Sequence, residues 1–163
     1  MWNCLNDNKE NPRKYQEGLF TAISAGFFLL LVGTLFIITP NLSDNILNFF
    51  DNLKMVDVPN TDVVFLGPQL PQSHLAFFQA VGQFSIALAI FQIIILALRF
   101  VIPSSWEHRA ETMGNFVYWT GAAVLIQLFL IENTQWFVFW STIIIIVGVS
   151  LIARAALMAA SRI

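Results

Sequence analysis

Four apolar runs separated by polar breaks organise this chain, at residues 18–39, 75–102, 112–131 and 136–160. At a helical rise of about 1.5 Å per residue, each matches or exceeds the roughly 30 Å of bilayer hydrocarbon. The pattern predicts an all-α membrane protein with four spanning helices. The second run is the longest, and no charge interrupts it from Leu75 until Arg99, yet it contains Gln79, Gln83 and Gln92. Advancing about 100° per residue from Gln79 puts Gln83 beside it, whereas Ser85, Gln92 and Arg99, spaced by sevens, gather on the opposite face. An amide facing lipid tails would go unsatisfied, at a cost of roughly several kcal/mol. Both faces should therefore meet protein, water or another subunit, and this helix is expected at the centre.

The remaining spans carry weaker signals. In the first, Gly18, Ala22 and Gly26 recur every fourth residue and Gly33 follows at a heptad. Small residues so spaced let helix backbones approach closely. Packing within one subunit is the simpler expectation, and a dimerisation seam is the other. In the third, Thr120 and Gln127 lie a heptad apart on one face. With Ser85 and Gln92 they read as hydrogen-bonding groups between helices, or else as the lining of a small-solute pore. No Asp or Glu falls inside a span, where ionisable groups usually mark a pathway. Arg99 and Arg154 lie near span ends, from which they can snorkel to the head groups.

Between the first two spans lies an outer segment, residues 40–74. Its first half has helical periodicity: Ile46, Leu47, Phe49, Phe50 and Leu53 fall on one arc and Asp44, Asn45, Asn48, Asp51 and Asn52 on the other. Asn41 is placed to cap this helix, with Asp44 three residues later, and capping also accounts for the glycosylation-like Asn41-Leu42-Ser43. Such a helix lies along the membrane surface; Ile46, Phe49, Phe50 and Leu53 are its expected contacts with the bundle or a neighbour. The second half contains Pro59, Pro68 and Pro71 and reads as an irregular loop, with a short extended piece at Val63 to Leu66. Asp57, Asp62 and His74 lack ligand spacing, so no metal site is expected.

Local signals delimit the other helices. Ser73 is placed to cap the second span. Ser104 with Glu107 forms a capping box that opens the third helix, Trp106 anchors it at the interface, and His108 and Glu111 read as its solvated first turns. Only Glu132, Asn133, Thr134 and Gln135 separate the third and fourth spans, so these form an antiparallel hairpin. Asn133 suits a left-handed helix end and Thr134 a fresh cap. Trp136, Phe137, Phe139 and Trp140 then form an aromatic belt.

Composition agrees with a membrane protein: the 163 residues are 57% hydrophobic and only 11% charged, with a mean hydropathy of +0.70. A soluble domain would carry about a quarter charged residues. The formal net charge of −2 says little, but its distribution says more. With four spans and a cytoplasmic amino terminus, Lys9, Arg13, Lys14, Arg99, Arg109, Arg154 and Arg162 fall inside and only Lys54 outside. The positive-inside rule then places both termini in the cytoplasm, with residues 1–17 as a polar tail. Cys4 is the single cysteine, which excludes an internal disulfide and leaves S-acylation as a conceivable modification. No phosphate loop, dinucleotide fingerprint, zinc-protease helix, nucleophile elbow or haem motif is visible, and no basic patch suggests nucleic acid. No cofactor is expected.

Several segments carry a family resemblance: Ile38-Thr39-Pro40-Asn41-Leu42, Val58-Pro59-Asn60-Thr61, Pro68 through Pro71 with His74, Leu98-Arg99-Phe100-Val101 and Trp136-Phe137-Val138-Phe139-Trp140. Together they are similar to small, uncharacterised four-span membrane proteins of archaea. The resemblance implies a prokaryotic plasma membrane and brings no activity or functional residue with it. The reading from the residues themselves is a non-enzymatic membrane building block, self-associating or a small subunit of a larger complex. Its partners would be membrane lipid and other spanning subunits. The alternative is a homo-oligomeric channel in which Gln79, Gln83, Gln92 and Arg99 line water.

Overall fold

Hydropathy alone sets the main architecture. The computed structural model describes residues 12–59, 61–102 and 105–160, with side chains from residue 18 onward. Four helical stretches are long and apolar enough to cross a membrane: Gly18–Ile38, Pro71–Val101, Trp106–Glu132 and Trp136–Ala160. They belong to helices α1 (Pro12–Ile38), α3 (Leu75–Val101), α4 (Trp106–Leu125) and α5 (Trp136–Ala160), with α2 (Leu42–Asp51) lying between the first two spans. The expected tail residues 1–11, with Cys4, lie outside the described residues, as do Pro103, Ser104 and 161–163.

The helices α3, α4 and α5 pack into the body of the bundle, and α1 leans on α3 from one side. Two aromatic pairs fix that contact. Phe27 and Phe91 stack at 4.0 Å with planes 3° apart, and Phe28 meets Phe84 edge-on at 5.8 Å. Each such pair contributes about 0.5–1.5 kcal/mol beyond its buried area. The α4–α5 contact is closer and rests on small residues. A Cβ on Gly121 would come within 2.8 Å of Ile146 Cγ2, and one on Gly114 within 3.3 Å of the Ser150 carbonyl oxygen.

The segment between the first two spans is more regular than its prolines suggest. Strands β1 (Leu53–Asp57) and β2 (Val64–Pro68) pair antiparallel, with Leu53 opposite Pro68 and Asp57 opposite Val64. The turn is closed by Val58 N–H donating to Val63 O at 2.9 Å and by Thr61 Oγ1 donating to Val58 O at 3.0 Å. This hairpin replaces the expected irregular loop. The extended piece anticipated at Val63 to Leu66 overlaps its second strand from Val64 onward, and the first strand is an addition. We call this the hairpin end of the bundle and the α3–α4 junction the connector end.

The hairpin end holds an aromatic cluster drawn from α2, α3 and α5. Phe49, Phe78, Ile126 and Leu130 form its buried core, flanked by Leu53, Phe77, Trp136 and Phe139. Phe49 alone contacts the rings of Phe50, His74, Phe77, Phe78 and Trp136. Trp136 Nε1 donates to Leu66 O at 3.1 Å, tying α5 to β2, and its ring lies so close to Gly67 that a Cβ there would sit 3.0 Å from Trp136 Cδ1. The aromatic run expected to float at the interface therefore also holds the hairpin down.

Several helix ends depart from the sequence-based expectation. Asn41 takes the left-handed conformation (φ 52°, ψ 33°), makes no side-chain cap, and serves α2 through its carbonyl, which accepts Asn45 N–H at 2.9 Å. Asparagine tolerates that backbone region, so the chain turns there instead of capping there. Ser73 falls within a short 3-10 turn, Pro71–His74, and its Oγ donates back to Leu70 O at 2.7 Å instead of capping α3. At α4 the cap is Ser105, whose Oγ accepts His108 N–H at 3.4 Å; Ser104 of the expected capping box lies outside the described residues. The α4–α5 link also reverses the expected roles. Thr134 is left-handed (φ 51°), whereas Asn133 is not, and Asn133 Nδ2 donates to Leu128 O at 2.6 Å.

Beyond Leu125 the third span continues as a π-helical segment, Ile126–Glu132. Its wider turn bonds each N–H to the carbonyl five residues back. Gly82 of α3 admits it, since a Cβ there would meet Ile126 Cγ2 at 3.3 Å.

Candidate functional site

The polar residues of α3 divide between two environments, as their angular spacing requires. Gln79 and Gln83 are exposed on the flank of the bundle and make no side-chain hydrogen bond among the described residues. Ser85 is buried, and Gln92 and Arg99 are half-buried on the other side. Ser85 does not bridge helices, because its Oγ donates to Val81 O of its own helix at 2.9 Å. Ser24 does the same to Phe20 O at 2.8 Å, and Thr112 to His108 O at 2.9 Å. Hydroxyls in spans commonly satisfy themselves in this way. Of the two heptad partners on the third span, Thr120 is half-buried with no hydrogen-bond partner for its Oγ1. Gln127 is exposed and donates from Nε2 to Glu132 Oε1 at 3.2 Å.

At the connector end the helices leave a polar cavity of about 310 Å³. Helix α1 contributes Phe20, Thr21 and Ser24; α3 contributes Gln92, Ile95 and Arg99. The α4 wall supplies His108, Glu111, Thr112 and Asn115. The Arg99 guanidinium carbon lies 5.3 Å from the centre of the Phe20 ring, within cation–π range. On the α4 side, His108 Nδ1 lies 3.5 Å from Glu111 Oε2. The cavity thus places one guanidinium, one carboxylate, one imidazole and two primary amides around a single space. It forms because α1 packs on α3 without comparable contact with α4, leaving a cleft whose walls are three different helices.

Gln92 and Arg99 were singled out by their spacing; the other members were not. Thr21, Ser24 and Asn115 share no spacing that marks them in the sequence, and His108 and Glu111 read as a solvated helix start. Their common feature is that each faces the gap between α1 and α4, which no local pattern encodes.

The small-residue edge of α1 meets no other residue among those described. A Cβ at Gly18, Gly26 or Gly33 would find no atom within 4 Å, and Ala22 is exposed. This revises the simpler expectation of packing inside one subunit, since α1 approaches α3 through phenylalanines instead. On α2, Phe49 is buried and Ile46 is half-buried against the bundle, as is Leu53 at the start of β1, whereas Phe50 and Leu47 point outward. Ile46 joins Leu35, Leu42, Ala80 and Phe84 in a second cluster.

Comparison with protein-family models, curated proteins and solved structures finds no match. The helices themselves define the class: this is a multi-pass membrane protein built on four spans.

Proposed function

We propose that the protein is a non-enzymatic building block of a membrane assembly, formed from its own copies or with other spanning subunits. One observation carries this reading: Gln79 and Gln83 lie exposed on a spanning helix. They are four and eight residues past Leu75, so roughly 6 and 12 Å along the helix from its hairpin end. The 27 residues of α3 reach about 40 Å against roughly 30 Å of hydrocarbon, so Gln83 falls within the hydrocarbon and Gln79 near its edge. An amide there is costly against acyl chains until a neighbouring subunit or water covers it. The unoccupied glycine edge of α1 offers a second surface for close helix contact.

The proposed setting is a plasma membrane with both termini on the cytoplasmic side. Arg99, Arg109 and Arg154 lie towards the connector end and Lys54 in the hairpin, as the positive-inside rule prefers. Mass measurement of the protein extracted in mild detergent tests the reading. An oligomer or a co-purifying partner is expected, weakened by combined Gln79→Leu and Gln83→Leu. A strictly monomeric particle without partners would overturn it.

A channel lined by α3 ranks below this reading. Gln79 and Gln83 face away from Gln92 and Arg99, so one helix cannot present all four to a common bore. Liposome flux that is negligible and unchanged in Gln83→Leu and Gln92→Leu variants would remove the channel altogether.

A further inference from the structure

We propose that the connector-end cavity holds the head group of a zwitterionic phospholipid, with its phosphate at Arg99 and its amine at Glu111. Among the described residues, the two formally charged groups lining the cavity are one guanidinium and one carboxylate, a pairing that matches a zwitterion better than a lone anion. The planar, multi-donor guanidinium suits a phosphate, and the Phe20 ring beside it holds it at the cavity wall. Glu111, with His108 Nδ1 at 3.5 Å from its carboxylate, forms the acidic side.

Depth separates a lipid from a soluble phosphate compound. Gln92 lies seven residues before Arg99 and Asn115 four after Glu111, so the amides sit roughly 10 and 6 Å deeper along their helices. A diacyl phospholipid carries its two acyl ester carbonyls deeper than the phosphate, where these amide N–H groups would meet them. A soluble phosphate compound lacks groups that reach so far into the span. The cleft between α1 and α4 also gives acyl chains a lateral exit, because those two helices do not close on each other as α4 and α5 do.

The test is native mass spectrometry of the full chain in mild detergent, titrated with phosphatidylethanolamine, phosphatidylglycerol or chain-free glycerophosphoethanolamine. Binding is read on the single-protomer species, so the result is independent of self-association. One phosphatidylethanolamine per protomer is expected, held several-fold more tightly than phosphatidylglycerol. Combined Gln92→Leu and Asn115→Leu should weaken it about tenfold through two lost hydrogen bonds, and Ile144→Ala on the exposed face of α5 should leave it unchanged. Circular dichroism checks that the double variant folds. Arg99→Lys, which keeps the charge but loses the bidentate fork, gives an independent loss of retention if it does not. Equal retention of the two lipids, retention unaffected by either cavity variant, or displacement of the lipid by equimolar glycerophosphoethanolamine would overturn the proposal.

Discussion

The two glycine-bearing edges of this protein look alike in composition and behave differently. On α4, Gly114 and Gly121 are pressed against Ser150 and Ile146 of α5, and the helices come together because no Cβ intervenes. On α1, Gly18, Gly26 and Gly33 present the same absence of side chain to empty space. The first edge is consumed by the fold; the second is left over after folding. Small residues at helical spacing therefore identify surfaces on which helices can approach closely, and only the bundle shows which surfaces are already used.

Substitution should separate the edges sharply. The largest effect is expected at Gly121, where leucine must displace Ile146 and push α4 from α5. Gly121→Leu should cost about 3 kcal/mol, read as a lowered unfolding midpoint in mixed micelles; a stability equal to the parent would mean that α5 is not seated there. On the idle edge, Gly26→Leu combined with Gly33→Leu should change protomer stability by no more than about 0.5 kcal/mol. The same pair should shift crosslinked species toward monomer if α1 joins copies, and unchanged crosslinking would assign the joint elsewhere. The smallest effect belongs to Thr120, whose Oγ1 is buried without a partner beside the packed edge. Thr120→Val should be neutral or stabilising by up to about 1 kcal/mol, and a clear loss of stability would show that the hydroxyl is satisfied by something bound there.

The spans were legible because membrane insertion depends on summed hydropathy, which neighbours barely alter. The fourth span, α5, occupies Trp136–Ala160, as its apolar run implies, and the second, α3, ends at Val101, one residue before its expected limit. The two faces of α3 were equally readable, since angular spacing along a helix is a local property. What failed was finer. Asn133 and Thr134 both tolerate several backbone regions, and the hydrogen bond from Asn133 to Leu128 decided which became left-handed. The hairpin escaped notice because Leu53 completes the apolar arc of α2 while also starting β1, and strand pairing is a non-local choice. The cavity escaped for a related reason. Ser24, Gln92 and Asn115 are separated by dozens of residues, and their meeting depends on how α1 leans.

The π-helical stretch at Ile126–Glu132 has a bearing on how the molecule tolerates change in length. Holding more residues per turn than the helix it continues, it works as a phase shifter: side chains beyond it point in directions that an unbroken α-helix would not reach. Losing a single residue between Ile126 and Glu132 would let the ordinary pitch resume and swing the indole of Trp136 away from Leu66. One codon there would then cut the hairpin's hydrogen bond to α5, while leaving the hydropathy of every span nearly untouched.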